Sequence, residues 1–244
     1  MAQAQLPLIK CIEFIIINDQ NDLTKFTNHH STLKSISVDL EGERLCRNGR
    51  ITKIQIYLPE KKLLFIFDCS KLNVDELKNV LKPIFESGAI KKYFFDCRAD
   101  VDALYHQYGI NLVNVIDVQL FEIGYRKSIQ KNYNTYGENR YSGLYNCLKF
   151  WSKRLEITQK ELDIKKEICN QFNEKKYDMD LNDEKVKLYL AIDVIYLDKL
   201  AKTFSNKIKS KDIIDSISAE TKKRVDIWQK VEYLSDKSNA ISVI

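Results

Sequence analysis

The run Ser35-Ile-Ser-Val-Asp-Leu-Glu41 alternates like a strand, so Ser37, Asp39 and Glu41 share one face and Ile36, Val38 and Leu40 the other. Two strand rises of about 3.3 Å put the carboxylates of Asp39 and Glu41 ~7 Å apart on one side of a strand end. Like charges so placed repel unless solvent or a cation separates them. A solvated sheet face gives the same pattern. A second signal lies in the helical stretch Asp183 to Phe204, whose centre reads Leu188-Tyr-Leu-Ala-Ile-Asp-Val-Ile-Tyr-Leu197. Every position there except Asp193 is apolar or aromatic. A helix apolar all round is buried all round, and a lone buried carboxylate is costly without a charged partner. No Lys or Arg occupies a helical neighbour position of Asp193, so the compensating charge comes from elsewhere, a bound cation being a natural candidate. The competing reading is a buried Asp that caps a loop or pairs with a distant Arg. Tyr189 lies one turn earlier on the same face.

A third acidic group sits in Phe94-Phe-Asp-Cys-Arg-Ala-Asp-Val-Asp-Ala-Leu104, a strand end running into a helix. Asp96, Asp100 and Asp102 are all candidates, and periodicity does not choose among them. An Asp near a helix start is most often a capping or dipole-compensating residue. Carboxylates from three separated elements suit hard divalent ions, which take oxygen ligands and keep positions for water and phosphate. Two such ions ~4 Å apart would clamp a phosphodiester and generate hydroxide near neutral pH. Other chemistries have less behind them. Three His without an H-x-x-x-H spacing argue against a zinc hydrolase. There is no G-x-S-x-G elbow, no G-x-x-x-x-G-K-[ST] loop and no G-x-G-x-x-G. The basic loop Arg44, Arg47, Arg50 with Lys53 follows Glu41 directly, so it is expected beside the cleft, touching substrate backbone. A solvated hairpin tip is the alternative.

The elements that must position these groups follow in order. An apolar run, Ile9 to Ile17, precedes the Ser35–Glu41 strand; Ile51–Leu58 and Leu63–Phe67 are two more strands, antiparallel-looking with the second. A helix over Asn73–Ser87 has Asn73 as N-cap and Gly88 past its end. Lys92–Phe95, a helix near Arg98–Tyr108 stopped by Gly109, and Val113–Ile116 continue a β–α–β pattern. The rest reads as helical: Leu120–Lys127, Leu144–Leu155, a charged helix from Glu161, Asp183–Phe204, and Ala219–Leu234. This order specifies an α/β fold, a mixed sheet flanked by helices with a mostly helical C-terminal half. Residues 1–34 are expected to be an N-terminal strand and lead-in packed on the domain, 35–205 the domain proper, and 206–244 its C-terminal helical extension. Lys127 to Ser142 is polar and reads as a loop.

Composition sets outer bounds. At 244 residues the chain can bury a substantial core as one domain. No apolar run approaches the ~20 residues that span a bilayer, and the N-terminal stretch is unlike a secretory signal. The six scattered Cys therefore read as reduced thiols in an intracellular protein of cytoplasm or nucleus. A net charge of +5 tolerates a polyanionic partner without demanding one.

At these residues the sequence resembles the DEDD superfamily of 3′–5′ exonucleases, in its RNase D-like, tyrosine-bearing branch. Val38-Asp-Leu-Glu-Gly42 resembles the first motif, D-x-E. Asp96-Cys-Arg-Ala-Asp-Val-Asp-Ala-Leu104 followed by His106-Gln-Tyr-Gly109 is similar to the second as it is written in eukaryotic-type exonuclease 3′–5′ domain proteins, with Asp100 on the metal-binding position. Tyr189-Leu-Ala-Ile-Asp193 with Tyr196-Leu197 resembles the third, Y-x-x-x-D, and Val115-Ile-Asp-Val-Gln119 resembles the D-T-Q strand-to-helix step. The likeness runs from about Ile9 to beyond Trp228. Phe95 departs from a frequent His, and Lys127–Ser142 from a usually short link.

The resemblance implies a ribonuclease H-like domain in which Asp39, Glu41, Asp100 and Asp193 hold two Mg²⁺ or Mn²⁺ ions. It implies that Tyr189 orients the attacking water, that DNA or RNA is cut from its 3′ end, and that nucleoside 5′-monophosphates are released. A phenol of pKa ~10 is a poor base at pH 7, which fits a positioning role. The alternative is a non-catalytic RNA-binding adaptor on the same fold. The complete set of four carboxylates and the Tyr favours catalysis. A scaffold role for the C-terminal helix rests on amphipathicity alone, which usually means packing on its own domain.

Overall fold

The computed structural model of the protein describes residues 11–129, 141–174 and 179–230. Six strands make one mixed sheet: β1 (Glu13–Ile17), β2 (Ser35–Glu43), β3 (Arg50–Leu58), β4 (Leu63–Asp68), β5 (Lys91–Phe94) and β6 (Val115–Asp117). Their order is β1-β4-β3-β2-β5-β6. The β2–β3 and β3–β4 pairs are antiparallel, as their alternation and short connections predict; β1 lies parallel to β4, β5 to β2 and β6 to β5. A parallel neighbour needs a crossover connection. Helix α2 (Val74–Phe85) crosses from β4 to β5, and α3 (Arg98–Tyr108) from β5 to β6. Both carry their expected end signals: the Asn73 side chain accepts from the N–H groups of Asp75 and Glu76, and Gly109 ends α3 at φ 62°.

The sheet separates two apolar layers. Ile36, Val38 and Leu40 of β2 face a core with α1 (Leu23–Thr27), α2 and α3. The opposite layer contains Tyr57, Leu64, Ile66 and Tyr93 together with the helices that follow α4 (Val118–Ile129). Those are α5 (Leu144–Leu155), α6 (Gln159–Glu174), α7 (Glu184–Ile195) and α8 (Leu197–Lys207), while α9 (Lys211–Trp228) packs on α3, α4 and β6 and sends Val225 into the first core. The face of β2 that carries Asp39 and Glu41 is therefore the one the C-terminal helices cover.

Several boundaries shift by a few residues, as where α4 spans Val118–Ile129 in place of Leu120–Lys127, and two differ more. The stretch Asp183–Phe204 is two helices, broken at Tyr196 (φ −102°, ψ −9°). No Gly or Pro announces the break. The Tyr196 ring is fully buried and its hydroxyl donates to Glu161 Oε1 at 2.8 Å, so tertiary packing sets the bend. It lets α7 lie across β2 and β3 while α8 packs on α4 and β5. The last helix starts at Lys211 and not at Ala219, because the Ser210 hydroxyl caps it by accepting from Ile213 N–H. Its expected end at Leu234, and residues 130–140 of the predicted loop, lie outside the described residues.

Candidate active site

β2 brings its two carboxylates to the sheet centre and then ends its regular pairing at once. The β2–β3 register shifts between Glu41 and Gly42, and the Thr52 hydroxyl donates to the Glu41 carbonyl at 3.1 Å. Gly42 is required here: a Cβ on it would sit 2.3 Å from the Arg50 carbonyl oxygen. Such bulges bend a strand and re-aim its side chains. Helix α7 supplies Asp193 and Tyr189 from above. One oxygen each from Asp39, Glu41 and Asp193 lies within 4.8 Å of the others, and Tyr189 hydrogen-bonds Glu41.

Asp100 stands beside this group but outside that compact set. Its Oδ1 accepts from Leu40 N–H at 3.2 Å, and its charge acts on Asp39. The three aspartates that periodicity left open have separate duties. Asp100 faces β2. Asp102 is fully buried and holds Arg47, accepting from its Nε at 2.8 Å, from its Nη2 at 2.7 Å and from its backbone N–H at 2.5 Å. Asp96, at φ 63°, takes Arg98 at 2.6 and 2.7 Å. Arg47 is thus tied down within the protein, and Lys53 likewise binds buried Asp68 at 3.0 Å. Of the basic loop, Arg44 and Arg50 expose their side chains.

The compensating charge for Asp193 comes from inside the chain. Asp193 is 4% exposed, and its Oδ1 accepts from Nζ of Lys165, itself 6% exposed on α6. The ammonium also lies 4.5 Å from the centroid of the Tyr189 ring. Asp193 Oδ2 is buried and has no hydrogen-bond partner. A second group that spacing did not single out lies behind the site. Arg224 of α9 is 3% exposed and donates to Asp117 Oδ2 (2.6 Å) and Gln119 Oε1 (3.0 Å), with Asp96 Oδ1 at 3.5 Å. Asp117 also accepts from the N–H groups of Asp96, Cys97 and Gln119. One sequence signal for Lys165 existed: it lies on the same helix stripe as Glu161, Ile164 and Ile168, all buried.

Burial, then the charges of Asp193, Glu41 and Asp100, hold the Asp39 carboxyl well above its usual range. Burial and Asp193 push Glu41 up to about 7 against the opposing Tyr189 hydrogen bond and Lys165. Burial raises Asp193 too, against the pull of Lys165. Burial alone would lower the Lys165 ammonium, but Asp193, Asp39 and Glu41 outweigh it and keep it raised. Crowded carboxylates and an orphaned buried carboxylate oxygen fit a hard divalent cation.

The Glu41 shift has a sign that can be measured. A carboxyl raised in the folded state binds its proton more tightly there, so its stabilisation is full below about 4.5 and is lost as pH rises through about 7. In chelator, the melting temperature of Glu41→Gln relative to the parent is expected to climb between pH 5 and pH 8. A difference independent of pH would place Glu41 outside the charged cluster.

Comparison with known proteins adds three findings. A protein-family model described as a 3′–5′ exonuclease matches residues 14–209. The piRNA biogenesis protein EXD1 of Xenopus laevis is 35% identical over 95 residues, 39% of this chain and 21% of that protein, so the match spans about a fifth of that relative. Among solved structures, the RNase D–GMP complex of Trypanosoma brucei superposes with a TM-score of 0.74 at 23% identity, covering 96% of this chain and 69% of that one. The same enzyme with RNA U12 gives 0.73 at 22%, over 96% and 76%. NrnC of Brucella melitensis with bound Mg²⁺ gives 0.60 at 17%, over 93% and 99%. The mixed sheet with flanking helices is thus the ribonuclease H-like fold of RNase D. Among the described residues no helix is long and apolar enough to cross a membrane.

Proposed function

The chain belongs to the 3′–5′ exonuclease family, and on that footing we propose that it is an active, metal-dependent nuclease releasing nucleoside 5′-monophosphates from a nucleic-acid 3′ end. The approach of one oxygen each from Asp39, Glu41 and Asp193 to within 4.8 Å of one another carries the proposal, and the buried, unpartnered Oδ2 of Asp193 supports it. Asp39, Glu41, Asp100 and Asp193 would hold divalent Mg²⁺ or Mn²⁺. When bound, such an ion stabilises charge on the scissile phosphodiester and makes hydroxide available near neutral pH.

The chain's own groups do the positioning. Burial, with the charges of Asp193, Glu41 and Asp39, pushes the Tyr189 phenol far above its ordinary range. It keeps its proton at any working pH, donates it in a hydrogen bond to the Glu41 carboxylate, and offers its oxygen as the acceptor that orients water. Tyr189→Phe should retain the fold, since the ring still fills its place in the apolar layer. Cleavage is expected to fall by about 10²-fold or more with nucleic-acid affinity nearly kept, as for an interaction made in the transition state. The assay uses 5′-labelled RNA and DNA oligonucleotides with Mg²⁺ or Mn²⁺; the RNA bound in the T. brucei complex makes RNA the substrate to try first. Equal activity of variant and parent would reduce Tyr189 to a packing residue.

Arg44 and Arg50, exposed beside the β2–β3 bulge, are the groups for substrate backbone. Replacing both with Ala should weaken oligonucleotide binding and flatten its salt dependence by roughly one to two phosphate contacts. An unchanged slope removes the loop from the substrate path.

A non-catalytic RNA-binding adaptor is the second reading. The Lys165–Asp193 contact favours it, because an internal ammonium meets part of the cluster's need for positive charge. Oligonucleotide bound but never shortened, with either ion, would decide for the adaptor.

A further inference from the structure

We propose that Gln55 is the positioning residue of Asp39, orienting that carboxylate for a metal ion through a buried water that Ser37 shares. The inference rests on the reading of Asp39, Glu41 and Asp193 as a metal site, and deepens it.

The other site carboxylates each have a donor from the chain itself. Tyr189 serves Glu41, Lys165 serves Asp193, and the Leu40 N–H serves Asp100. Among the described residues no hydrogen-bond donor reaches Asp39, which meets only the charges of its neighbours. A carboxylate that ligates a metal is ordinarily hydrogen-bonded in its turn, because that bond sets which way its oxygens face.

A spare donor stands directly across the sheet. Gln55 of β3 is the register partner of Asp39, and its neighbour on the other side is Ile66 of β4. Side chains directly opposite one another share a face, with Cβ atoms about 5 Å apart. Gln55 is fully buried, and neither its Nε2 nor its Oε1 has a hydrogen-bond partner. Ile66 offers nothing polar, and Lys53, next to Gln55 on the same face of β3, is engaged with Asp68. Ser37, two residues before Asp39 on the same face of β2, is fully buried too, and its Oγ is also unpartnered.

Orphaned buried polar atoms are rare one at a time, so three on one sheet face beside a carboxylate call for a common partner. A buried water needs two to four polar contacts, and Gln55, Ser37 and Asp39 supply them. Such a water accepts from the Gln55 amide N–H and donates to the Asp39 carboxylate, at little loss against a direct bond. The amide then fixes the carboxylate from behind, on the side away from the ion. A residue needed only to fill this rung would be aliphatic like Ile66, without the cost of burying an amide.

The test separates metal affinity from folding. Gln55→Met puts an apolar side chain of similar length in place of the amide. In chelator the full chain with this change is expected to melt within a few degrees of the parent, since an unpaired buried amide is no asset to stability. Calorimetric titration with Mn²⁺ should show binding weakened by about 10-fold or more, the loss typical when a ligand's supporting partner is removed. At subsaturating Mn²⁺, kcat falls with it while KM for an oligonucleotide stays. Ser37→Ala, the gentler change, is expected to weaken Mn²⁺ binding in the same direction and by less; it carries the test alone if Gln55→Met does not fold. Unchanged Mn²⁺ affinity in either folded variant overturns the proposal. So does a Gln55→Met that folds but melts well below the parent in chelator, the mark of a packing residue. Failure of the underlying metal-site reading looks different: the parent itself would bind no Mn²⁺.

Discussion

Asp193→Asn is expected to lose cleavage by about 10³-fold or more while melting, in chelator, within a few degrees of the parent. The first half follows from the several kcal/mol that a bound cation contributes to transition-state charge, each ~1.4 kcal/mol being tenfold in rate. The second half depends on the neighbours. Removing one member of an isolated buried ion pair strands the other and costs about 3–5 kcal/mol. Lys165 is not isolated, because Asp39 and Glu41 also act on its ammonium. The variant leaves it two carboxylates and removes one like charge from a crowded group. Added Mn²⁺ should raise the parent's melting temperature by mass action and the variant's hardly at all. A variant that melts some 10 °C lower in chelator yet still shortens oligonucleotides would make Asp193 an ordinary pair partner and remove the metal-site assignment.

Some of this site is written in local pattern and some is not. Strand alternation alone puts Asp39 and Glu41 on one face, and a lone acid in an apolar helix marks Asp193; both follow from nearest neighbours along the chain. The choice of Asp100 over Asp96 and Asp102 needs partners far away in sequence, namely Leu40, Arg224 and Arg47. Family resemblance implies Asp100 where periodicity leaves all three open. Lys165 was hidden in a helix that the sequence marks only as charged. Its inward position shows only when Glu161, Ile164 and Ile168 are read as one stripe. Arg47 illustrates the converse: a basic loop beside an acidic site suggests a phosphate contact, and the guanidinium is instead spent on Asp102. The break at Tyr196 has no local cause at all, since nothing but the Glu161 hydrogen bond and the surrounding packing distinguishes that residue.

Arg224→Met is expected to lower stability by about 3–5 kcal/mol, because it leaves the fully buried Asp117 without its counter-charge. For a chain of this size that corresponds to a fall in melting temperature of roughly 10 °C. Three N–H groups would still hold Asp117 in place, so the loss is chiefly electrostatic. The double variant Arg224→Met with Asp117→Asn should recover part of the loss, since the stranded charge is then gone. The clasp matters to the site as well. Asp96 and Cys97, whose N–H groups Asp117 holds, lead directly into α3 and its Asp100. Thermal denaturation followed by circular dichroism checks it; a shift under 2 °C for the single variant would show that α9 rides on the domain without bracing it.

The position of β2 at the middle of the sheet carries a consequence for synthesis. Its antiparallel partner β3 follows within a short hairpin, so the segment bearing Asp39 and Glu41 can pair soon after it leaves the ribosome. The ammonium that offsets those charges belongs to α6, and the helix that covers them is α7, both more than 100 residues downstream. Until they arrive, a nascent chain presents two adjacent acids and an open apolar sheet face. The half-made protein is thus the aggregation-exposed species, and any fragment ending before α6 holds the acidic strand but has neither its counter-ion nor its cover.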